Sequence, residues 1–192
     1  MNHPEVFIIP VLMLSDYFLT VWGAILSEKK YAQHFKIEHY ELNPLWQKNI
    51  ARKQWFNMKH LALVAIFTVF CLAWSIAWTS IETGFEVLLG YFTILYVGII
   101  GTHLTNILIF SYLIRHPGSI AGEIKMNHPL MLYMSLFRLL GLLLVLTVIA
   151  IFSPTPFILG GLGSQIALSI VKFVWIAKAN AAERKKTMPP VL

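Results

Sequence analysis

Charged side chains are scarce in this sequence: they make up 12% of its 192 residues, whereas hydrophobic residues make up 57%. A typical soluble domain has about 25% charged and about 45–50% apolar residues. The deficit of charge argues against a soluble globular domain. The apolar excess argues against a disordered chain, because disordered chains contain few apolar residues. The composition therefore predicts an integral membrane protein.

Cysteines and the motifs of soluble enzymes are also missing. The single cysteine, Cys71, has no partner for a disulfide and cannot build a cysteine metal cage. The sequence contains no phosphate-binding glycine loop, no Gly-x-Ser-x-Gly elbow and no His-Glu-x-x-His motif. The net charge of +6 comes from lysines and arginines that border apolar runs, where they orient the chain and attract anionic lipid. We therefore expect membrane lipids, and not nucleic acid, as partners.

Five apolar runs are long enough to cross a bilayer, which takes about 20 residues as a helix. In hydrocarbon each backbone polar group needs an internal partner, and the runs lack the alternation typical of barrel strands. The sequence predicts an all-α polytopic membrane helix bundle that forms a single domain over residues 1–192. The five predicted transmembrane helices cover residues 6–26, 61–80, 87–114, 130–152 and 157–177.

The basic residues predict the orientation of these spans, because positive charge is retained on the cytoplasmic side. Thirteen of the fifteen lysines and arginines fall in residues 27–60, in the connection between spans three and four, or in the C-terminal tail. The segments on the opposite side contain none. The N-terminus is therefore predicted to lie outside and the C-terminus in the cytoplasm.

The only long polar segment, residues 27–60, is predicted to be a cytoplasmic loop. Within it, Asn43 and Pro44 have the residue types of a helix N-cap and first helical position. We expect a helix that runs from Pro44 into the second span.

Polar residues inside the spans are the candidates for a ligand-binding site, because charges there usually face the bundle interior and pair. At 1.5 Å per residue, Asp16, His103, Asn106 and Arg138 fall at similar depths, and Thr20 shares a helix face with Asp16. One interpretation is a structural Asp16–Arg138 ion pair. The other is a substrate, ion or proton site that faces a water-filled cavity. A further span lysine, Lys172, is close enough to the interface to snorkel there. The candidate site residues are Asp16, Thr20, His103, Asn106 and Arg138.

A second group, His34, Glu38 and Glu41, has the spacing i, i+4, i+7, which places the three side chains on one face of a helix. One nitrogen and two carboxylates suit a divalent metal. The neighbouring lysines offer the alternative that these carboxylates form salt bridges. A divalent metal is the one cofactor that the sequence suggests.

Asp16 to Thr20 reads Asp-Tyr-Phe-Leu-Thr, and Glu41 to Pro44 reads Glu-Leu-Asn-Pro. This resembles the Asp-x-x-Leu-Thr and Glu-x-Asn-Pro pattern of small uncharacterised prokaryotic multi-pass membrane proteins, over about a fifth of the chain. The resemblance implies that Asp16, Thr20, Glu41 and Asn43 merit attention as candidate functional residues. It implies no particular activity.

Together these observations predict a small protein of a prokaryotic inner membrane that acts as a transport, channel or accessory subunit rather than as an enzyme. One alternative is a membrane-embedded enzyme that acts on a lipid or quinone, with Asp16 and His103 as acid and base. Another is a structural or regulatory subunit of a membrane complex. Five helices enclose a cavity more easily in a homo-oligomer, and cyclic symmetry is the usual arrangement. The glycines of spans three and five are the expected interfaces.

Overall fold

The protein is an all-α bundle. The computed structural model describes residues 4–37, 40–77 and 82–187. Within these ranges the five predicted spans are confirmed as long apolar helices able to cross a membrane. The helices are α1 (Ile8–Leu26), α2 (Ala32–His34), α3 (Gln47–Ala51), α4 (Met58–Ala77), α5 (Glu82–Arg115), α6 (His128–Phe152) and α7 (Pro156–Thr187), of which α2 and α3 are short. A 3₁₀ turn (Pro4–Phe7) precedes α1 and a π turn (Ser27–Tyr31) follows it.

The long helices are arranged in the order α4, α1, α5, α7, α6. Helix α5 is central and packs against α1 on one side and α7 on the other, while α6 packs mainly on α7. One apolar core joins α1 and α4 to the start of α5 around Ile9, Met13, Cys71 and Phe85. A second joins α6 and α7 around Leu132, Leu136 and Ile176. Helices α1 and α6 are therefore separated by two other helices.

Two short strands link the basic connections to each other. Strand β1 (Phe35–Ile37) pairs in parallel with β2 (Ile124–Met126), with Phe35 opposite Ile124. The His34 imidazole Nδ1 lies 2.9 Å from the Gly122 carbonyl oxygen, next to this pair. Residues 27–37, 40–60 and 116–127 therefore lie at the same end of the bundle, which we call the loop side.

The helix expected from Pro44 into the second span is wrong. The Asn43 side chain does accept a hydrogen bond from the Leu45 backbone N–H (3.1 Å), but α3 ends at Ala51. Lys53 has a φ of 54°, which L-residues seldom adopt and which breaks the helix. Helix α4 starts anew at Met58, where the Asn57 side chain accepts from the Lys59 N–H (3.0 Å).

Residues 40–43 enter the loop-side end of the bundle. Tyr40 packs against Gly23 of α1 and lies 6.1 Å, ring to ring, from Phe110 of α5. Leu42 packs on the core shared by α6 and α7. Glu41, between these two residues, is thereby held between the two halves of the bundle.

Helices α5 and α7 meet along a glycine seam formed by Gly90, Gly160 and Gly161. A Cβ on Gly90 would collide with the Phe157 carbonyl oxygen, and one on Gly160 with the Val87 carbonyl oxygen. Gly160 and Gly161 of span five therefore pack against α5 within the chain. Gly101 of α5, in contrast, is exposed, and no other atom lies within 4 Å of the position that a Cβ would occupy there.

Candidate functional site

Asp16, Thr20 and His103 meet between α1 and α5. The His103 Nε2 atom lies 2.9 Å from Thr20 Oγ1 and 3.1 Å from Asp16 Oδ1. The spacing of four residues brings the Asp16 and Thr20 side chains onto the same face of α1. Thr20 is buried, and the His103 and Asp16 side chains retain 14% and 22% of their exposure. Three of the predicted ligand-binding residues therefore form one contact.

The hydrogen bonds of Thr20 favour one arrangement of donors and acceptors on the His103 ring. The Thr20 hydroxyl donates to the Asp16 backbone carbonyl oxygen (2.8 Å), so its oxygen is left to accept from His103 Nε2–H. Asp16 Oδ1 is close to the same nitrogen but is not aligned for a hydrogen bond. In this neutral tautomer His103 Nδ1 is a free acceptor, and this buried atom has no hydrogen-bond partner among the described residues.

The expected Asp16–Arg138 pair is not formed. Arg138 lies on α6, which packs mainly on α7, and it is an exposed residue. Similar depth in the membrane is therefore not proximity, because α5 and α7 lie between the two residues. His103, one helix away, takes the place next to Asp16 that the depth count predicted for Arg138.

The fourth predicted residue of the cluster, Asn106, lies one turn after His103 and faces residues 40–43, which we call the inserted loop. Its amide is next to the Tyr40 hydroxyl, although the two groups are not aligned for a hydrogen bond. Glu41 follows and interacts electrostatically with His103 and Asp16. Both segments of the sequence pattern, Asp16 to Thr20 and Glu41 to Asn43, therefore converge on His103. We call Asp16, Thr20, Glu41 and His103 the polar cluster.

Lys172 of α7 is the second charged group whose predicted position is wrong. It was expected to snorkel to the interface, but only 8% of its surface is exposed. Its Nζ lies 4.9 Å from the centre of the Trp175 ring, and its charge interacts with Glu41. The α5–α7 register explains this position: Phe157 meets Gly90 and Gly161 meets Ile94, and the same offset places Lys172 level with Thr105. Lys172 therefore lies at the depth of the polar cluster.

A cavity of about 420 Å³ lies on the loop side, between the end of α1, the segment 27–37 and α3. Glu41 and Tyr40 line it at the face next to the bundle. Glu41 is half-buried, its Oε1 accepts a hydrogen bond from the Asn43 N–H (2.6 Å), and its carboxyl interacts electrostatically with His103 and Asp16. The polar cluster is thus connected with the loop side through one carboxyl group.

Burial perturbs both titratable residues of the inserted loop. Burial raises the pKa of the Glu41 carboxyl above its ordinary value of 4.5, although the Asn43 N–H and the His103 ring oppose the shift. Burial also raises the pKa of the Tyr40 hydroxyl, which keeps it a neutral hydrogen-bond donor. The loop therefore makes ionisation of Glu41 more costly than it is in water.

The helical geometry on which the predicted metal site depended is absent. His34 is followed by the extended strand Phe35–Ile37, so His34 and Glu41 do not share a helix face. Glu38 lies outside the described residues. Within the described residues, no group of three or more His, Cys, Asp and Glu side chains is placed to hold a metal ion. Glu41 instead belongs to the polar cluster.

The chain matches no protein-family model, no curated protein and no solved structure. Its function must be inferred from the site itself. Sequence reasoning missed Tyr40 and Lys172, although Tyr40 is adjacent to the Glu-Leu-Asn-Pro segment and Lys172 is one of only two basic residues within the predicted spans. Adjacency and charge were thus signals that could have identified both.

Proposed function

We propose that the protein is a small transport subunit of a prokaryotic inner membrane, in which the polar cluster takes up protons. The observation that carries the proposal is the contact of His103 Nε2 with Thr20 Oγ1 (2.9 Å) and Asp16 Oδ1 (3.1 Å) inside the bundle. Ionisable groups within a membrane span are costly and usually serve a function. Histidine is the residue whose charge changes most readily near neutral pH.

Proton uptake is supported by the hydrogen bonds around His103. Because Nε2–H is directed at Thr20, an incoming proton binds at Nδ1, the atom without a partner in the described chain. The imidazolium that forms has the Asp16 carboxylate 3.1 Å from its other nitrogen, and opposite charges at this distance stabilise each other. Asp16 thus compensates the charge, and Thr20 holds the ring.

Access from the loop side is supported by Glu41. This carboxyl lines the cavity and interacts electrostatically with His103, Asp16 and Lys172. A protonated Glu41 can lose its proton towards the cluster and regain one from water in the cavity. The two acidic and two basic groups can then balance one another's charge as protons move.

The test is proton flux into proteoliposomes that contain purified protein and a trapped pH-sensitive dye, driven by a potassium diffusion potential. We expect flux above that of protein-free liposomes, and a reduction of about tenfold or more in Asp16→Asn and in His103→Gln. His116→Gln is the matched control, because His116 is an exposed histidine at the end of the same helix. Wild-type flux equal to that of protein-free liposomes would contradict the proposal.

A membrane-embedded enzyme is the second candidate, because the same carboxylate–imidazole contact is an acid–base pair. On this alternative a lipid or quinone would react at His103 Nδ1, and purified protein would change the composition of the liposome lipids with time. Chromatography of the lipids after the flux assay distinguishes the two candidates. A structural or regulatory subunit would show neither flux nor turnover.

The arrangement of the helices also supports assembly with other chains. The end helices of the row, α4 and α6, expose large apolar side chains such as Ile76, Phe137 and Leu144. Lipid or further protein surface must cover them, so we propose that the subunit works as a homo-oligomer or within a membrane complex. Cross-linking in native membranes would reveal either assembly.

A further inference from the structure

The loop-side cavity has the dimensions of a ligand site. Its volume of about 420 Å³ falls within the range of about 300–1,000 Å³ that is typical of small-molecule pockets. The proton path proposed above requires only water there. The chemistry of the lining suggests a more specific occupant.

Three aromatic rings line the cavity: Tyr31, Phe35 and Tyr40. Tyr31 and Phe35 are stacked, with ring centres 4.2 Å apart and planes 7° apart. Tyr31 also packs against Phe110 of α5, with 4.5 Å between ring centres, so the aromatic wall is fixed to the bundle. Aromatic faces attract cations, and quaternary ammonium groups are the organic ions most often recognised in this way.

Two carboxylates, Glu28 and Glu41, face the same cavity, but only one is available to a ligand. The Glu28 carboxylate is bound by the Lys53 ammonium group. No lysine or arginine nitrogen of the described residues lies within 4 Å of the Glu41 carboxyl oxygens. Lys36 is also part of the lining, but its ammonium group donates to the Ala32 carbonyl oxygen (3.2 Å).

The charged groups around Glu41 come from every helix that packs against it. His103 of α5 and Lys172 of α7 favour its ionised form, and Asp16 of α1 opposes it. Burial opposes the ionised form in the empty site and raises the pKa of Glu41. A bound cation would supply the missing counter-charge, and the carboxyl would release its proton to water in the cavity.

We propose that this cavity binds a small organic ammonium group between the rings of Tyr31, Phe35 and Tyr40 and the carboxyl of Glu41. The ammonium group belongs either to a free solute or to the headgroup of a membrane lipid. A divalent metal is disfavoured, because the described residues offer it no group of three ligands. The site does not depend on proton transport through His103, and it therefore goes beyond the proposed function.

The experiment is calorimetric titration of the full chain in nanodiscs made only of phosphatidylglycerol, with choline as the probe. The matched probe is 3,3-dimethylbutan-1-ol, which has the shape of choline without its charge. We expect choline to bind about tenfold or more tightly than the neutral alcohol. Equal binding of the two probes, or no binding of choline at 50 mM (roughly the weakest affinity worth measuring), would overturn the proposal.

Variants identify the group that holds the cation. Glu41→Gln should weaken choline binding about tenfold or more, whereas Glu28→Gln should change it less than about twofold because Lys53 already occupies that carboxylate. Phe35→Leu should weaken binding about two- to thirtyfold, the loss of one cation–π contact, because Tyr31 stacks on only one face of this ring. Unchanged affinity in a folded Glu41→Gln protein would overturn the assignment. If that variant does not fold, the affinities of the wild-type protein for choline and for the neutral alcohol still test whether the site recognises a cation.

Nanodiscs that contain phosphatidylethanolamine distinguish the two sources of the ammonium group. If choline competes with this lipid and binds more weakly than in pure phosphatidylglycerol, the natural ligand is a headgroup. If its affinity is the same in both lipids, the ligand is a free solute. Choline binding without proton flux would contradict the proposed function and support this site. Proton flux without choline binding would support the proposed function and contradict this site.

Discussion

Asp16 and His103 show how a single residue contact makes polar groups tolerable inside a membrane. An unpaired ion at this depth must find water, bend the bilayer or become neutral. Asp16 has the imidazole of His103 within 3.1 Å, and Thr20 hydrogen-bonds both the ring and the α1 backbone. The contact between Asp16 and His103 crosses only the interface of α1 with α5. A contact between Asp16 and Arg138 would have to cross three interfaces, α1–α5, α5–α7 and α7–α6.

The first prediction is that Asp16 is energetically coupled to His103 and not to Arg138. Residues in contact show interaction energies of about 0.5–3 kcal/mol, whereas distant residues are additive within about 0.5 kcal/mol. In a double-mutant cycle, Asp16→Asn and His103→Gln should therefore lower thermal stability in lipid by less together than the sum of their separate effects. The control pair, Asp16→Asn with Arg138→Gln, should be additive. The opposite pattern would mean that Asp16 pairs with Arg138 and not with His103.

The second prediction concerns Glu41 and pH. Because burial raises its pKa in the folded state, the unfolded chain loses this proton at a lower pH than the folded chain does. The stabilisation is fully present below the ordinary pKa of 4.5 and is lost as the pH rises towards the folded-state value. As the pH increases from 4.5, the thermal unfolding midpoint of the wild-type protein should therefore fall relative to that of the Glu41→Gln protein. A difference that does not vary with pH would contradict this.

At the scale of elements, the five long helices could be predicted and the loop between the first two could not. Each long helix contains an uninterrupted apolar stretch, and in hydrocarbon such a stretch has no alternative to a helix. Strand β1 exists because it pairs with β2, which lies far away in the chain, and no local pattern encodes that partner. The break at Lys53 likewise results from the packing of residues 46–57 against α1, where the Tyr17 hydroxyl donates to the Gln54 carbonyl oxygen (2.8 Å).

The third prediction tests the glycine seam between α5 and α7. Gly160→Ala should lower the unfolding midpoint by roughly 3–8 °C, because the new Cβ meets the Val87 backbone and the helices must separate. Gly101→Ala is the matched control on α5, where nothing lies within 4 Å of the added atom. There the higher helix propensity of alanine should stabilise the protein by about 0.5–1 kcal/mol. Similar effects of the two substitutions would show that the seam is not a close contact.

At the scale of the whole molecule, the site could be predicted in its residues but not in its pairing. Depth along each span selected Asp16, His103 and Asn106 together with Arg138, which does not pair with Asp16, and the shared helix face selected Thr20; both follow from counting residues. The order of the helices across the bundle decides which of them meet, and hydropathy carries no information about that order. The loop residue Glu41 was assigned to a metal for the same reason: its true neighbours come from three different helices.

The basic connections at one end of the bundle agree with the charge distribution, and we predict that this loop side is cytoplasmic. The polar cluster then opens towards the cytoplasm through the cavity. On the opposite side, the glycine seam brings the backbones of α5 and α7 into close contact. The central claim of the proposed function is a prediction: water and protons reach the cluster from the loop side and not from the opposite side.

Accessibility of position 20 tests this claim most directly. Cys71 is the single cysteine and is buried, so a Cys71→Ala protein provides a background for Thr20→Cys. Silver ions are added to one side of sealed, oriented vesicles, and the protein is then unfolded and labelled with a fluorescent maleimide. We predict that silver on the loop side protects Cys at position 20 from labelling and that silver on the opposite side does not. Protection from the opposite side, or from neither side, would contradict this claim.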